Sequence, residues 1–334
     1  MTPAFLGIHD PTVIAAVVGA VAGGFAALMA MLTAGPLRLW VDGRLQLKKA
    51  RTDYEFEQRK KLREEVGGFR GRLLEAATSL NYRLDNLREN RCEIVGADCS
   101  ETWLAVGGDY SSPSTERYYF RSTIYRFMAL TAIANRFERA AIYVDPRFSE
   151  REDELIVLYV RALRWALTDP KLFDDLEPRY KSSDPTAHFF TDDLRRMCAT
   201  LTRDDDELLD LHDVERILAG NHELDPVLRF FDGLQPGSLK WDRLMVFNLL
   251  LKGFINAIGY KTNKSEQPWF EGVAETIAKP QIARNLQEWL PRLGLDQDLG
   301  AKSISLALNQ RLTHPLLPPS TDKHTIDDGT EPQV

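Results

Sequence analysis

The first apolar stretch is unlike anything after it. From Pro11 to Leu37 the chain reads PTVIAAVVGAVAGGFAALMAMLTAGPL, with no charged side chain. Roughly 20 apolar residues suffice to cross about 30 Å of hydrocarbon as a helix, so residues 11–37 are predicted to form one transmembrane helix. Pro11 fits a first helical turn, where its missing N–H is not needed. Gly35-Pro36 is expected to mark the exit, and Trp40 falls where an interfacial aromatic belongs. A cleaved signal peptide would carry a basic leading region, whereas residues 1–10 contain no Lys or Arg. Before the span lie only His9 and Asp10; after it come Arg38, Arg44, Lys48, Lys49 and Arg51. Basic flanks stay in the cytoplasm, so residues 1–10 are expected outside and the rest inside, at a plasma membrane. Within the span, Gly19 and Gly23 have the GxxxG spacing that lets two helices approach closely.

From 38 to 90 the pattern predicts one long stalk helix. Its first part is densely charged, and its second carries an apolar stripe: Leu62, Val66, Phe69, Leu73, Ala77, Leu80, Leu84 and Leu87. The steps alternate between three and four, near a heptad period. Such a seam can form a coiled coil between chains or pack on the chain's own body; its shortness favours the body. Gly67, Gly68 and Gly71 interrupt it. Basic residues beside the membrane face interleaved acids such as Asp53, Glu55 and Glu57, which reads as a solvated charged face.

Residues 91–115 are rich in turn formers and are expected to be a loop. Helical periodicity then returns over 115–144, 149–167, 186–202, 206–219, 225–234, 237–260, 266–291 and 296–312. Ser149 with Glu152 has the spacing of a capping box. Alternating strand patterns are nearly absent. The expected fold is therefore all-α: a single transmembrane helix, a stalk helix, and a cytoplasmic multi-helix body over 116–312. A disordered tail is expected over 313–334. The segment 237–260 is apolar almost all round, as in the centre of a core; Lys252 and its length argue against a second span.

Composition narrows the chemistry. The chain has 334 residues, 44% of them apolar, enough for a sizeable core, and a net charge of −7, which argues against nucleic acid as a partner. Its three cysteines (Cys92, Cys99, Cys198) show no CxxC pair and fit reduced thiols. GxxxxGK[ST], GxGxxG, GxSxG and HExxH are all missing, so no cofactor and no metal is expected. The acidic pairs Asp174-Asp175 and Asp192-Asp193, and the run from Asp204 to Glu207, read as charges at helix beginnings.

Three constellations remain. Arg216 to His222, RILAGNH, has the form arginine, five residues, histidine. That spacing resembles the active-site signature of the all-helical HEPN ribonucleases, in which two such motifs meet across a dimer. The resemblance covers these seven positions and departs at Ile217, where the family usually has a polar residue. It implies Arg216 and His222 as the catalytic pair of a membrane-tethered ribonuclease; the other reading is a surface salt-bridge cluster at a helix end. Secondly, Arg117, Arg121, Arg126, Arg136, Arg139 and Arg147 crowd together with Tyr118, Tyr119, Phe120 and Tyr125. Arginine among aromatics can hold a nucleotide or small anion, with Arg117 and Arg121 foremost, or it lays its stems over an aromatic core. Thirdly, Asn248, Lys252 and Asn256 are spaced four apart on an otherwise apolar helix. They form either its solvent side, the preferred reading, or the wall of a cleft that binds an anionic or polar group.

Taken together, the pattern favours a non-enzymatic sensor, adaptor or effector anchored in the bilayer and acting by homo-oligomer or partner assembly. By architectural analogy alone it fits a bacterial-type protein, including a role in phage defence.

Overall fold

The structure is a computed structural model that describes residues 11–89, 104, 115–141, 151–176, 187–203, 207–218 and 222–313. It is all-helical: apart from one isolated bridge between Thr202 and Leu208, no strand occurs among the described residues. The helices are α1 (Pro11–Glu89), α2 (Thr115–Ala141), α3 (Arg151–Thr168), α4 (Thr191–Thr200), α5 (Leu211–Leu218), α6 (Asp225–Phe231), α7 (Leu239–Ile258), α8 (Gln267–Glu275), α9 (Pro280–Arg292) and α10 (Leu299–Thr313). Short 3₁₀ turns lie at Pro170–Phe173, His222–Leu224 and Lys261–Asn263. The chain divides into two units, Met1–Lys60 and Lys61–Val334.

The first unit is the leading part of α1. Its stretch Pro11–Met29 has a mean hydropathy of 2.2, none of it buried, and is long and apolar enough to cross a membrane. Val18, Val21, Phe25 and Leu28 are each at least 60% exposed. The helix continues through Gly35-Pro36, where the span was expected to leave the membrane, so the span and the stalk form one helix.

The second unit is the helical body. α7 runs through its centre, with Leu244, Met245, Val246, Leu249, Leu250, Leu251 and Phe254 fully buried. The stripe on α1 packs on this body within one chain: Leu73, Ala77, Leu80, Leu84 and Leu87 are fully buried. Phe69 meets Phe137 of α2 edge-on, at 5.8 Å between centroids. The side chains of Leu62 and Val66 lie outside the described residues, as do the loop from 91 to 103, Cys92, Cys99, the Ser149 cap and residues 314–334. Cys198 is a buried free thiol whose pKa burial raises to about 11, which keeps it protonated and unreactive near neutrality.

Two elements differ from expectation. Residues 266–291 form two helices, because Pro280 opens α9 and the preceding backbone turns away. Asp242 of α7 captures that turn: its carboxylate accepts from the Ala278 N–H (2.8 Å), the Lys279 N–H (3.3 Å) and Lys279 Nζ (3.3 Å). Asp174-Asp175 does not begin a helix; it follows the 3₁₀ turn at Pro170–Phe173, with Asp175 at φ 59°.

α7 and α10 cross closely where Gly253 meets Gly300. A Cβ on Gly300 would lie 2.6 Å from the Gly253 carbonyl oxygen and 2.8 Å from Tyr159 Oη. Tyr159 donates to Asp298 Oδ2 at 2.5 Å, and that oxygen also accepts from the Gly300 N–H at 2.8 Å, capping α10. Arg243 of α7 caps the C-terminal end of α3. Its guanidinium donates to the Ala166 and Asp169 carbonyls at 2.5 and 3.2 Å while lying over the Phe173 ring.

Candidate functional site

α7 buries the polar stripe that the sequence placed in solvent. Asn248 and Lys252 are fully buried and Asn256 is half-buried, so the surface-stripe reading is wrong. The reason is α1 and α8, which bring Asp85 and Trp269 against this side of the central helix. Lys252 Nζ donates to Asp85 Oδ2 of α1 at 2.6 Å, and Asn81 Nδ2 donates to the same oxygen at 3.1 Å. The ammonium also stands 5.5 Å from the centroid of the Trp269 ring of α8. Burial pushes the Lys252 pKa below the ordinary lysine value, and the Asp85 carboxylate opposes that shift.

The surroundings of this pair are polar and incompletely bonded. On α1, Thr78, Asn81, Asp85 and Arg88 follow one another at steps of three or four, so they share a face beside the apolar seam. Thr78 Oγ1, Asn81 Oδ1, Asp85 Oδ1 and Arg88 Nε are buried without a hydrogen-bond partner, as are both amide atoms of Asn248. A buried polar group without a partner costs about 1–3 kcal/mol. Asn256 differs: its amide is satisfied both ways by Ser265, accepting from the N–H at 2.7 Å and donating to the carbonyl at 2.8 Å. It staples the turn after α7, which is a structural duty.

The arginines of α2 do not form one patch. Arg121 pairs with Glu215 of α5 at 3.0 Å, with 12% and 29% of the two side chains exposed. Arg117 shares that face of α2 and is half-buried. Arg126 turns toward α1 instead: its Nε donates to Ser79 Oγ at 2.9 Å, and its Nη1 to the Ser122 carbonyl and hydroxyl. Arg83 of α1 donates from Nη2 to the same Ser122 hydroxyl at 3.1 Å and lies 5.0 Å from the centroid of Tyr119. Two guanidiniums thus converge on one fully buried serine. Burial, and then Arg126, push the Arg83 pKa down. The sequence reading missed Arg83 because it sits on the stalk, 39 residues from Ser122.

Arg216 and His222 stand in solvent. The Arg216 side chain is 66% exposed and pairs with Asp213 one turn back; Arg203 holds the same carboxylate. His222 is 97% exposed, its Nδ1 3.4 Å from Asp225 Oδ2. Each is engaged with its own acid, the arrangement of the surface-cluster reading. Residues 219–221 between them lie outside the described residues. Among the described residues, no group of three or more His, Cys, Asp or Glu side chains is placed to hold a metal ion.

A cleft of about 910 Å³ opens between α1 and the turn after α7, lined by Gly67, Arg70, Gly71, Glu75, Ser79 and Tyr260 among others. Arg70 crosses it, donating to Glu152 at 2.9 Å and to the Ile258 carbonyl at 3.2 Å. Ser79, on its wall, is the residue that Arg126 holds from behind. No protein-family model matches the chain, and no curated protein and no solved structure gives a significant match.

Proposed function

We propose that the chain is a single-pass membrane-anchored, non-enzymatic sensor or adaptor, with the N-terminus outside the plasma membrane and the helical body in the cytoplasm, acting through assembly with itself or a partner. The observation that carries this reading is the exposed apolar face of Pro11–Met29. A helix that offers Val17, Val18, Val21, Phe25 and Leu28 to its surroundings needs lipid or another protein around it, since monomeric soluble proteins rarely expose contiguous apolar patches beyond a few hundred Å². The exposed basic residues Arg44, Lys48, Lys49 and Arg51 that follow support a cytoplasmic body. The alternative, a membrane-tethered ribonuclease using Arg216 and His222, would need a second chain to enclose its site, since both side chains stand in solvent beside an acid.

Assembly has a direct test. A Cβ at Gly19 or Gly23 would meet no atom of the chain within 4 Å, so larger side chains there cause no clash within one molecule. Gly19→Ile with Gly23→Ile is expected to leave membrane association intact and to reduce both crosslinked species and detergent-solubilised mass, as at a small-residue helix contact. A wild-type protein that is monomeric in the membrane would end the assembly part of the proposal.

A further inference from the structure

We infer that the body carries a binding site for a mononucleotide between α1 and α2, with Arg83 and Arg126 on its phosphate and Tyr82, Tyr118 and Tyr119 beside its base. Guanidiniums are the residues of choice for bidentate contact with phosphate oxygens. These two are held about one serine hydroxyl by the bonds to Ser122 and Ser79. The other groups that act electrostatically on Arg83 are Arg126 and the phenols of Tyr118, Tyr119 and Tyr82; no carboxylate is among them. Neither arginine forms an ion pair with the described residues. Arg70 and Arg121, by contrast, meet acids, Glu152 and Glu215.

The donors that remain point to one more partner. A guanidinium has five N–H groups. The bonds above occupy Nη2 of Arg83 and Nε and Nη1 of Arg126. Arg83 Nε is buried without an acceptor, and Arg83 Nη1 and Arg126 Nη2 bond to none of the described residues. An oxyanion taking both would neutralise the pair and remove the like-charge repulsion that folding otherwise has to hold. The tyrosines say what the anion is attached to. Tyr82 is 75% exposed, and Tyr118 and Tyr119 are 43% and 41% exposed, edge to face at 5.8 Å. Exposed aromatic rings beside a cationic pair suit a planar base, since stacking of a base on an aromatic side chain is worth about 1–3 kcal/mol. The chain's net charge of −7 and the small size of the basic site favour a mononucleotide over a polymer.

This site deepens the sensor part of the proposed function, and rests on that reading for its purpose but not for its binding, which is local to the body. The full chain, solubilised in mild detergent, is titrated with adenosine and guanosine 5′-monophosphate, with the matching nucleosides, and with inorganic phosphate. At least one nucleotide is expected to bind with a Kd below about 1 mM, at least about tenfold tighter than its nucleoside or phosphate. Arg83→Gln and Arg126→Gln should each weaken it at least about tenfold, while Arg196→Gln, on the exposed face of α4, changes nothing. Melting without ligand reports folding: Arg83→Gln should melt no lower than wild type, because a like charge is removed. If it fails to fold, Arg83→Lys serves instead, keeping the charge without the fork, and should bind measurably weaker. No nucleotide binding by wild type, variants that bind like wild type, or much tighter binding of an oligonucleotide would each overturn the inference. None of these results bears on the topology of the span.

Discussion

Lys252→Met should destabilise the body by about 3 kcal/mol, far beyond the effect of losing a surface lysine. Removing one member of a buried ion pair leaves the other as an uncompensated charge, at a cost of about 3–5 kcal/mol. Here the stranded group is Asp85, whose side chain is 13% exposed and would keep only the Asn81 amide as partner. A second change locates the cause. Asp85→Asn on top of Lys252→Met removes the stranded charge and should recover most of the loss, since a neutral, packed substitute for a buried pair is often no worse than the pair itself. Denaturant unfolding of both variants decides it. A loss within about 0.5 kcal/mol for the single variant would mean that Lys252 is solvated.

Gly300→Val should be at least as damaging, by a different mechanism. Its Cβ would lie 2.6 Å from the Gly253 carbonyl oxygen and 2.8 Å from Gly253 Cα, so the obstacle is backbone and cannot rotate away. It would also press on Tyr159 Oη, whose 2.5 Å bond to Asp298 ties α3 to the cap of α10. Overpacking a close-packed interior costs about 1–3 kcal/mol, and more where backbone must move. A loss of about 3 kcal/mol or more is expected in the same unfolding measurement. Gly71→Ala is the contrast: nothing lies within 4 Å of its Cβ, and a helical Gly-to-Ala exchange should stabilise by up to about 1 kcal/mol. Equal effects at the two glycines would contradict the crossing described here.

Much of this fold could be read from spacing alone. The α1 seam from Leu73 to Leu87 repeats at three and four, and one side of a helix was bound to be buried. α7 was legible as a core helix because it is apolar all round. The orientation of Lys252 was not legible. The helix's narrow polar stripe of Asn248, Lys252 and Asn256 could face water or a polar partner equally well, and the acid that accepts the ammonium lies 167 residues away. The Arg83–Arg126 pair was hidden for a related reason: periodicity describes one helix, whereas the pair is made by the packing of two. Arg117 and Arg121 drew attention because they stand close in sequence, yet Arg121 is spent on Glu215. The break at Pro280 had a local signal in the proline. What could not be read locally is Asp242, which caps the turn from another helix.

The membrane anchor remains the claim on which the proposed function turns. It is tested most directly by a reporter that is active only outside the cytoplasm, fused either ahead of Met1 or after Val334. Activity at the Met1 fusion and silence at the Val334 fusion, with both proteins in the membrane fraction, is the expected result, from the uncharged span and the basic residues that follow it. The reverse pattern would overturn the orientation. Silence at both ends, with the protein in the soluble fraction, would overturn the anchor itself.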